Sequence, residues 1–113
     1  MITIYHNPRC SKSRQGLSIL EENKQDFKII KYLETPPSSE ELGNIIKKLN
    51  LKPIDLVRKN ETIWKEQFKG NTYTDKQLID IMVANPKLIE RPIVVHGDKA
   101  VLGRPPESIK SII

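Results

Sequence analysis

Tyr5-His6-Asn7-Pro8-Arg9-Cys10-Ser11-Lys12-Ser13-Arg14 decides how the rest of the chain is read. Upstream, Ile2 and Ile4 alternate with polar neighbours over a strand-length run. Downstream, Leu17, Ile19 and Leu20 sit among good helix formers up to about Lys24. Between them, Asn7-Pro8 signals a turn, and the small and polar residues that follow suit the opening of a helix. The stretch predicts strand, turn and helix, with Cys10 at or near the first helical turn.

That position has chemical consequences. The first amide N–H groups of a helix lack internal partners, and the helix dipole places partial positive charge there. A thiolate so placed accepts those N–H groups, and its pKa can fall from about 8.5 to roughly 3.5–7.5. Arg9, Lys12 and Arg14 raise the local potential further, and the same geometry cradles oxyanions. A lone cysteine also serves as a small buried hydrophobe; polar and basic neighbours on both sides favour the reactive thiol. His6 is left with three roles: orienting the turn, acting as a base toward Cys10, or standing as a surface residue.

At 113 residues, with 37% hydrophobic and 29% charged side chains, the chain has the size and composition of one soluble globular domain. One cysteine excludes an internal disulfide and any metal site built from several thiolates. No apolar run approaches the ~18 residues of a membrane span, and no secretory signal is visible. A reducing cytoplasm is the expected compartment. The net charge of +5 favours anionic partners, but the basic residues are dispersed and aromatics make up only 5%, so no nucleic-acid surface is expected.

Phe27 to Leu33 reads as a second strand, ended by Pro36-Pro37. Ser38-Ser39-Glu40-Glu41 is a capping box leading into Leu42, Ile45, Ile46 and Leu49 on one helical face, with Asn50 closing the helix. Pro53 to Arg58 and Glu61 to Lys69 suggest short helical turns. Thr74-Asp75-Lys76-Gln77 opens another helix, stopped by Asn85-Pro86. Residues from about 38 to 86 thus form a helical insertion. Arg91 to Val95 and Ala100 to Leu102 make a hairpin around Gly97-Asp98, and Arg104-Pro105-Pro106-Glu107 opens a last helix. The expected fold is α/β: a β-α-β start and a β-β-α finish sharing one mixed sheet, the thioredoxin arrangement, in a single domain over residues 1–113.

Arg91 precedes one hairpin strand and Arg104 follows the other, so both guanidiniums reach one spot at the end of the hairpin. If the sheet includes the first strand, that spot is near Cys10. Arginine forks suit tetrahedral oxyanions. Taken singly, each of Arg58, Arg91 and Arg104 is better read as merely solvating a strand end. A cis bond before Pro92 has a base rate of about 5–6%, and nothing local raises it.

Four segments resemble the glutaredoxin-linked arsenate reductases, closest to their short arsenate-reductase-like branch: His6 to Arg14, Leu56-Val57-Arg58-Lys59-Asn60, Glu90 to Val95, and Leu102-Gly103-Arg104-Pro105-Pro106. The resemblance covers essentially the whole chain. It implies that Cys10 is the nucleophile and that Arg58, Arg91 and Arg104 bind the oxyanion. His6, Asn7, Ser13, Arg14 and a cis Pro92 would support the thiolate turn. It implies arsenate reduction with glutathione as co-substrate and glutaredoxin as partner, and no bound cofactor or metal. The chain stops at Ile113, without the longer C-terminal tail of some relatives, which bears on substrate retention more than on chemistry.

Two alternatives share the fold. A dithiol oxidoreductase needs Cys-x-x-Cys, and Ser13 stands where the second cysteine would be, which leaves only a monothiol glutaredoxin-like version. A regulator of the Spx type, binding RNA polymerase, would lack its Cys-x-x-Cys redox switch and has no need of all three arginines.

Overall fold

In the computed structural model, which describes residues 1–113, the N-terminal alternation becomes β1 (Ile2–His6), with Ile2, Ile4 and His6 turned inward. The chain divides into two compact units, residues 1–35 with 91–113, and residues 36–90.

In the first unit, β1 leads through the Asn7–Cys10 turn into α1 (Ser11–Glu22), which ends where Asn23 N–H bonds to Leu20 O. β2 (Phe27–Lys31) returns parallel to β1, with Ile4 beside Ile29. It is shorter than the run to Leu33 predicts, because the amides of Glu34 and Thr35 both donate to Lys31 O and turn the chain before the prolines. β3 (Ile93–His96) lies antiparallel to β1, and β4 (Lys99–Leu102) pairs back on β3. Gly97, with φ of 64°, supplies the left-handed residue of that turn. The strand order β2-β1-β3-β4, one parallel pair and two antiparallel ones, is the thioredoxin-like arrangement.

The last element is a 3₁₀ segment, Pro106–Ser111, and not an α-helix. Pro105 is extended, so coiling begins only at Pro106, and the short segment packs against α1. Ile2, Ile4, Leu20, Val94 and Ile109 form the core, flanked by Leu17, Phe27, Val101 and Ile112. Burying each such side chain is worth about 1.5–3 kcal/mol.

The second unit holds α2 (Ser39–Leu49), α3 (Pro53–Leu56), α4 (Thr62–Gln67) and α5 (Asp75–Ala84). Both capping boxes form: Ser38 Oγ accepts Glu41 N–H at 3.1 Å, and Thr74 Oγ1 accepts Gln77 N–H at 3.2 Å. Asn50 ends α2 in the left-handed conformation. α2 and α3 pack on α5, burying Leu42, Ile45, Ile46, Leu56, Leu78 and Met82. Helix α3 stops at Leu56, short of the turn to Arg58 that the sequence suggests. Val57 instead bridges to Ile89, with Arg58 N–H donating to Leu88 O at 2.8 Å and Glu90 N–H to Leu56 O at 2.9 Å. No helix is long and apolar enough to cross a membrane.

Candidate active site around Cys10

Cys10 is the residue immediately before α1, with an extended backbone (φ −95°, ψ 123°), and it is half-buried. Its own N–H donates to Asn7 O at 3.0 Å, and its carbonyl accepts Arg14 N–H at 3.0 Å, so the turn and the first helical bond share this residue. Its side chain caps nothing, which leaves the sulfur free to face the first amides of α1. Burial by itself pushes the Cys10 thiol up. The backbone amide of Ser13, the Arg91 guanidinium and the backbone amide of Lys12 more than offset that and hold the thiol below its ordinary value.

Arg91 is almost wholly buried. Arg104 donates through Nε to Arg91 O at 2.8 Å and through Nη2 to Cys10 Sγ at 3.6 Å. The two hairpin ends therefore meet at the sulfur, as the sequence predicts for Arg91 and Arg104. The Arg91–Pro92 peptide is cis, as the family resemblance implies, and Arg104–Pro105, which no sequence signal marked, is cis as well. The remaining arginine, Arg58, lies in the other unit. There its Nη1 donates to Glu90 Oε1 at 3.1 Å, both side chains being mostly buried, while its Nε is buried with no hydrogen-bond partner.

The turn beneath the sulfur is a closed set of polar bonds. Ser13 is fully buried; its Oγ lies 2.7 Å from His6 Nδ1 and accepts Asn7 N–H at 3.0 Å. Asn7 Oδ1 in turn accepts Arg9 N–H at 3.0 Å, and Arg14 Nη1 donates to Pro8 O at 2.9 Å. His6 is buried too, so of the three roles left open by the sequence the structure fits orientation of the turn. Burial, with the nearby charges of Lys31 and Arg14, holds His6 below the ordinary histidine value and so keeps it neutral near pH 7.

Two contributors have no role assigned from the sequence, although Gly103 lies within the Leu102-to-Pro106 motif. Gly16 of α1 and Gly103 after β4 both close on the Pro92 ring: a Cβ at Gly16 would lie 2.9 Å from Pro92 Cγ, and one at Gly103 2.7 Å from the same atom. Only residues without a Cβ let α1 and the hairpin end approach Pro92 this closely. A glycine inside a helical run is the one hint the sequence offers.

A thioredoxin-like sheet, with one activated thiol at a helix start and two arginines converging on it, defines a single-cysteine protein able to attack an electrophile while holding its negative charge. Comparison with known proteins makes the class more specific. The model of the ArsC family matches residues 5–112, and the chain belongs to that family. It is 42% identical to an arsenate reductase of Neisseria meningitidis over 99% of this chain and 97% of that protein. Identity to the Escherichia coli K12 protein YfgD is 44%, over 99% of this chain and 96% of that one. The solved structure of an arsenate reductase from Vibrio cholerae superposes with a TM-score of 0.94 at 45% identity, covering 99% of this chain and 97% of that one.

Proposed function

We propose that this chain reduces arsenate to arsenite, with Cys10 as nucleophile and glutathione as the external thiol. The observation that carries the reading is a thiol held below its ordinary pKa with Arg91 and Arg104 beside it, in a chain whose near-full-length relatives include proteins named arsenate reductases. The Cys10 thiolate attacks arsenic(V); an S–As bond forms and one arsenate oxygen leaves as water. Glutathione then attacks the Cys10 sulfur. The S–As electron pair stays on arsenic, which becomes arsenic(III) and departs as arsenite, leaving a Cys10–glutathione disulfide. A second glutathione, through glutaredoxin, frees Cys10. The sum is arsenate plus two thiols giving arsenite, one disulfide and water.

Arg91 and Arg104 neutralise the bound oxyanion and the charge that builds during attack. The resemblance of the Leu56-to-Asn60 motif assigns Arg58 an oxyanion-binding role as well. His6, Asn7, Ser13, Arg14 and Pro92 hold the turn. Thiol consumption suits a reducing compartment such as the cytoplasm.

The test is arsenate-dependent NADPH oxidation in the presence of glutathione, glutaredoxin and glutathione reductase. Wild type turns over, Cys10→Ser abolishes turnover, and Arg91→Gln lowers it about a hundredfold, as for loss of one oxyanion donor. No turnover by wild type, while alkylation still shows an acidic Cys10, refutes the assignment.

A further inference from the structure

Two segments of the second unit, far apart in sequence, meet at Val57 and Ile89. Arg58 N–H donates to Leu88 O at 2.8 Å and Glu90 N–H to Leu56 O at 2.9 Å, and the apolar side chains of Val57 and Ile89 are buried. Arg58 and Glu90 flank the bridged pair, one on each segment, and their mostly buried side chains join as Nη1 donates to Oε1 at 3.1 Å. Two backbone bonds and apolar burial already tie the segments together without that ion pair. A buried ion pair is also weak evidence of stability, since taking two charges out of water costs about as much as their attraction returns. What Glu90 supplies is direction. An arginine gives up much rotamer freedom when it is fixed on a ligand, and one already held by a carboxylate has given it up beforehand. Glu90 engages the single nitrogen Nη1, unlike the fork-to-fork pairing that occupies two.

We propose that Glu90 is a positioning residue, which holds the Arg58 guanidinium in the orientation that binds the oxyanion. The inference deepens the proposed reaction and rests on the oxyanion role assigned there to Arg58. Two effects of Glu90 oppose each other: its charge repels an arriving oxyanion, and its bond spares Arg58 the cost of ordering. Ordering outweighs repulsion, so loss of the carboxylate weakens oxyanion binding.

Binding is measured without turnover, as the arsenate concentration that half-protects Cys10 from iodoacetamide in the absence of glutathione. Glu90→Gln keeps the length and an acceptor oxygen and loses the charge. It is expected to raise that concentration roughly three- to tenfold, the difference between a charge-assisted and a neutral hydrogen bond. Glu90→Asp, which keeps the charge but draws it back from Arg58, is expected to shift it the same way and supplies the test if the glutamine variant is unstable. In an Arg58→Gln background Glu90→Gln costs nothing further, because its effect passes through Arg58; a merely structural loss would carry over. In turnover, KM for arsenate rises in Glu90→Gln while kcat holds within about twofold. An unchanged or lower half-protecting concentration, an equal effect in both backgrounds, or a fall in kcat with KM unmoved overturns the proposal. Wild type that arsenate does not protect refutes the oxyanion site and the proposal with it, whereas protection of wild type with no shift in the variants refutes positioning by Glu90 alone.

Discussion

Replacing Ser13 with alanine removes one oxygen and orphans two buried groups. Ser13 Oγ accepts Asn7 N–H at 3.0 Å and lies 2.7 Å from His6 Nδ1. A hydroxyl has a single proton, and one lone pair already faces Asn7 N–H. The second lone pair and the proton both suit His6 Nδ1, which bonds to the hydroxyl in either imidazole tautomer. In Ser13→Ala both the Asn7 N–H and His6 Nδ1 lose this partner, and both residues are buried. A buried polar group left without its partner costs about 1–3 kcal/mol. The better helix propensity of alanine returns about 0.5 kcal/mol. The net expectation is a loss of about 1.5–5.5 kcal/mol, a large share of the roughly 5–15 kcal/mol that holds a domain folded.

Urea unfolding at neutral pH, followed by circular dichroism, measures that loss. The pH profile of Cys10 alkylation reads the local consequence. Asn7 O accepts Cys10 N–H, so a loosened Asn7 shifts the sulfur from the Ser13 amide and moves the alkylation midpoint upward. A loss below about 0.5 kcal/mol with an unchanged denaturant slope would refute this bonding scheme, because two buried orphans cannot be that cheap.

Two further outcomes follow from the same turn and its neighbours. Burial, then Lys31 and Arg14, hold His6 below the ordinary histidine value of 6.5, so the unfolded chain binds the proton more readily than the folded one. Stability should then fall as pH drops from about 7 through 6.5 toward the lowered folded value, and unfolding midpoints of wild type and His6→Gln against pH should show the slope flattened in the variant. Gly103→Ala would set a Cβ 2.7 Å from Pro92 Cγ and 3.1 Å from Ile109 Cδ1, an overpacking worth about 1–3 kcal/mol of destabilisation. Gly43→Ala, whose Cβ would meet nothing nearer than Ile79 Cδ1 at 3.8 Å, should stabilise by about 0.4–1 kcal/mol, and thermal melts of the two variants test the opposite signs.

Local chemistry made much of the fold legible. The capping boxes at Ser38 and Thr74, the end of α2 at Asn50 and the Gly97 turn each answer to side chains within a few residues, and each forms as read. What local signals could not supply is pairing across sequence distance. The Val57–Ile89 bridge joins residues whose intervening chain holds two helices, and it straightens Val57 where a helical turn was expected. The early end of β2 has the same character, since two amides competing for Lys31 O leave no pattern in residue type. Around Cys10 the division repeats. The strand-turn-helix signature located the thiol, whereas the contacts of Gly16 and Gly103 on Pro92 join three separate segments and are invisible one segment at a time.

The arginine pair shows how far a local signal can act. β3 and β4 pair Ile93 with Leu102 and Val94 with Val101 around the Gly97 turn. Continued past the strands, that register sets Pro92 opposite Gly103 and Arg91 opposite Arg104. The bonds observed there, Gly103 N–H to Pro92 O at 2.8 Å and Arg104 Nε to Arg91 O at 2.8 Å, fit that continuation. A slip of one residue in the hairpin would turn every following side chain to the opposite face and take Arg104 away from the sulfur. The turn at Gly97-Asp98 touches no substrate, yet it fixes which guanidinium meets the thiol at the other end of the strands. The aim of the cradle is thus set by hairpin register, and the acidity of Cys10 by the turn that Ser13 holds shut.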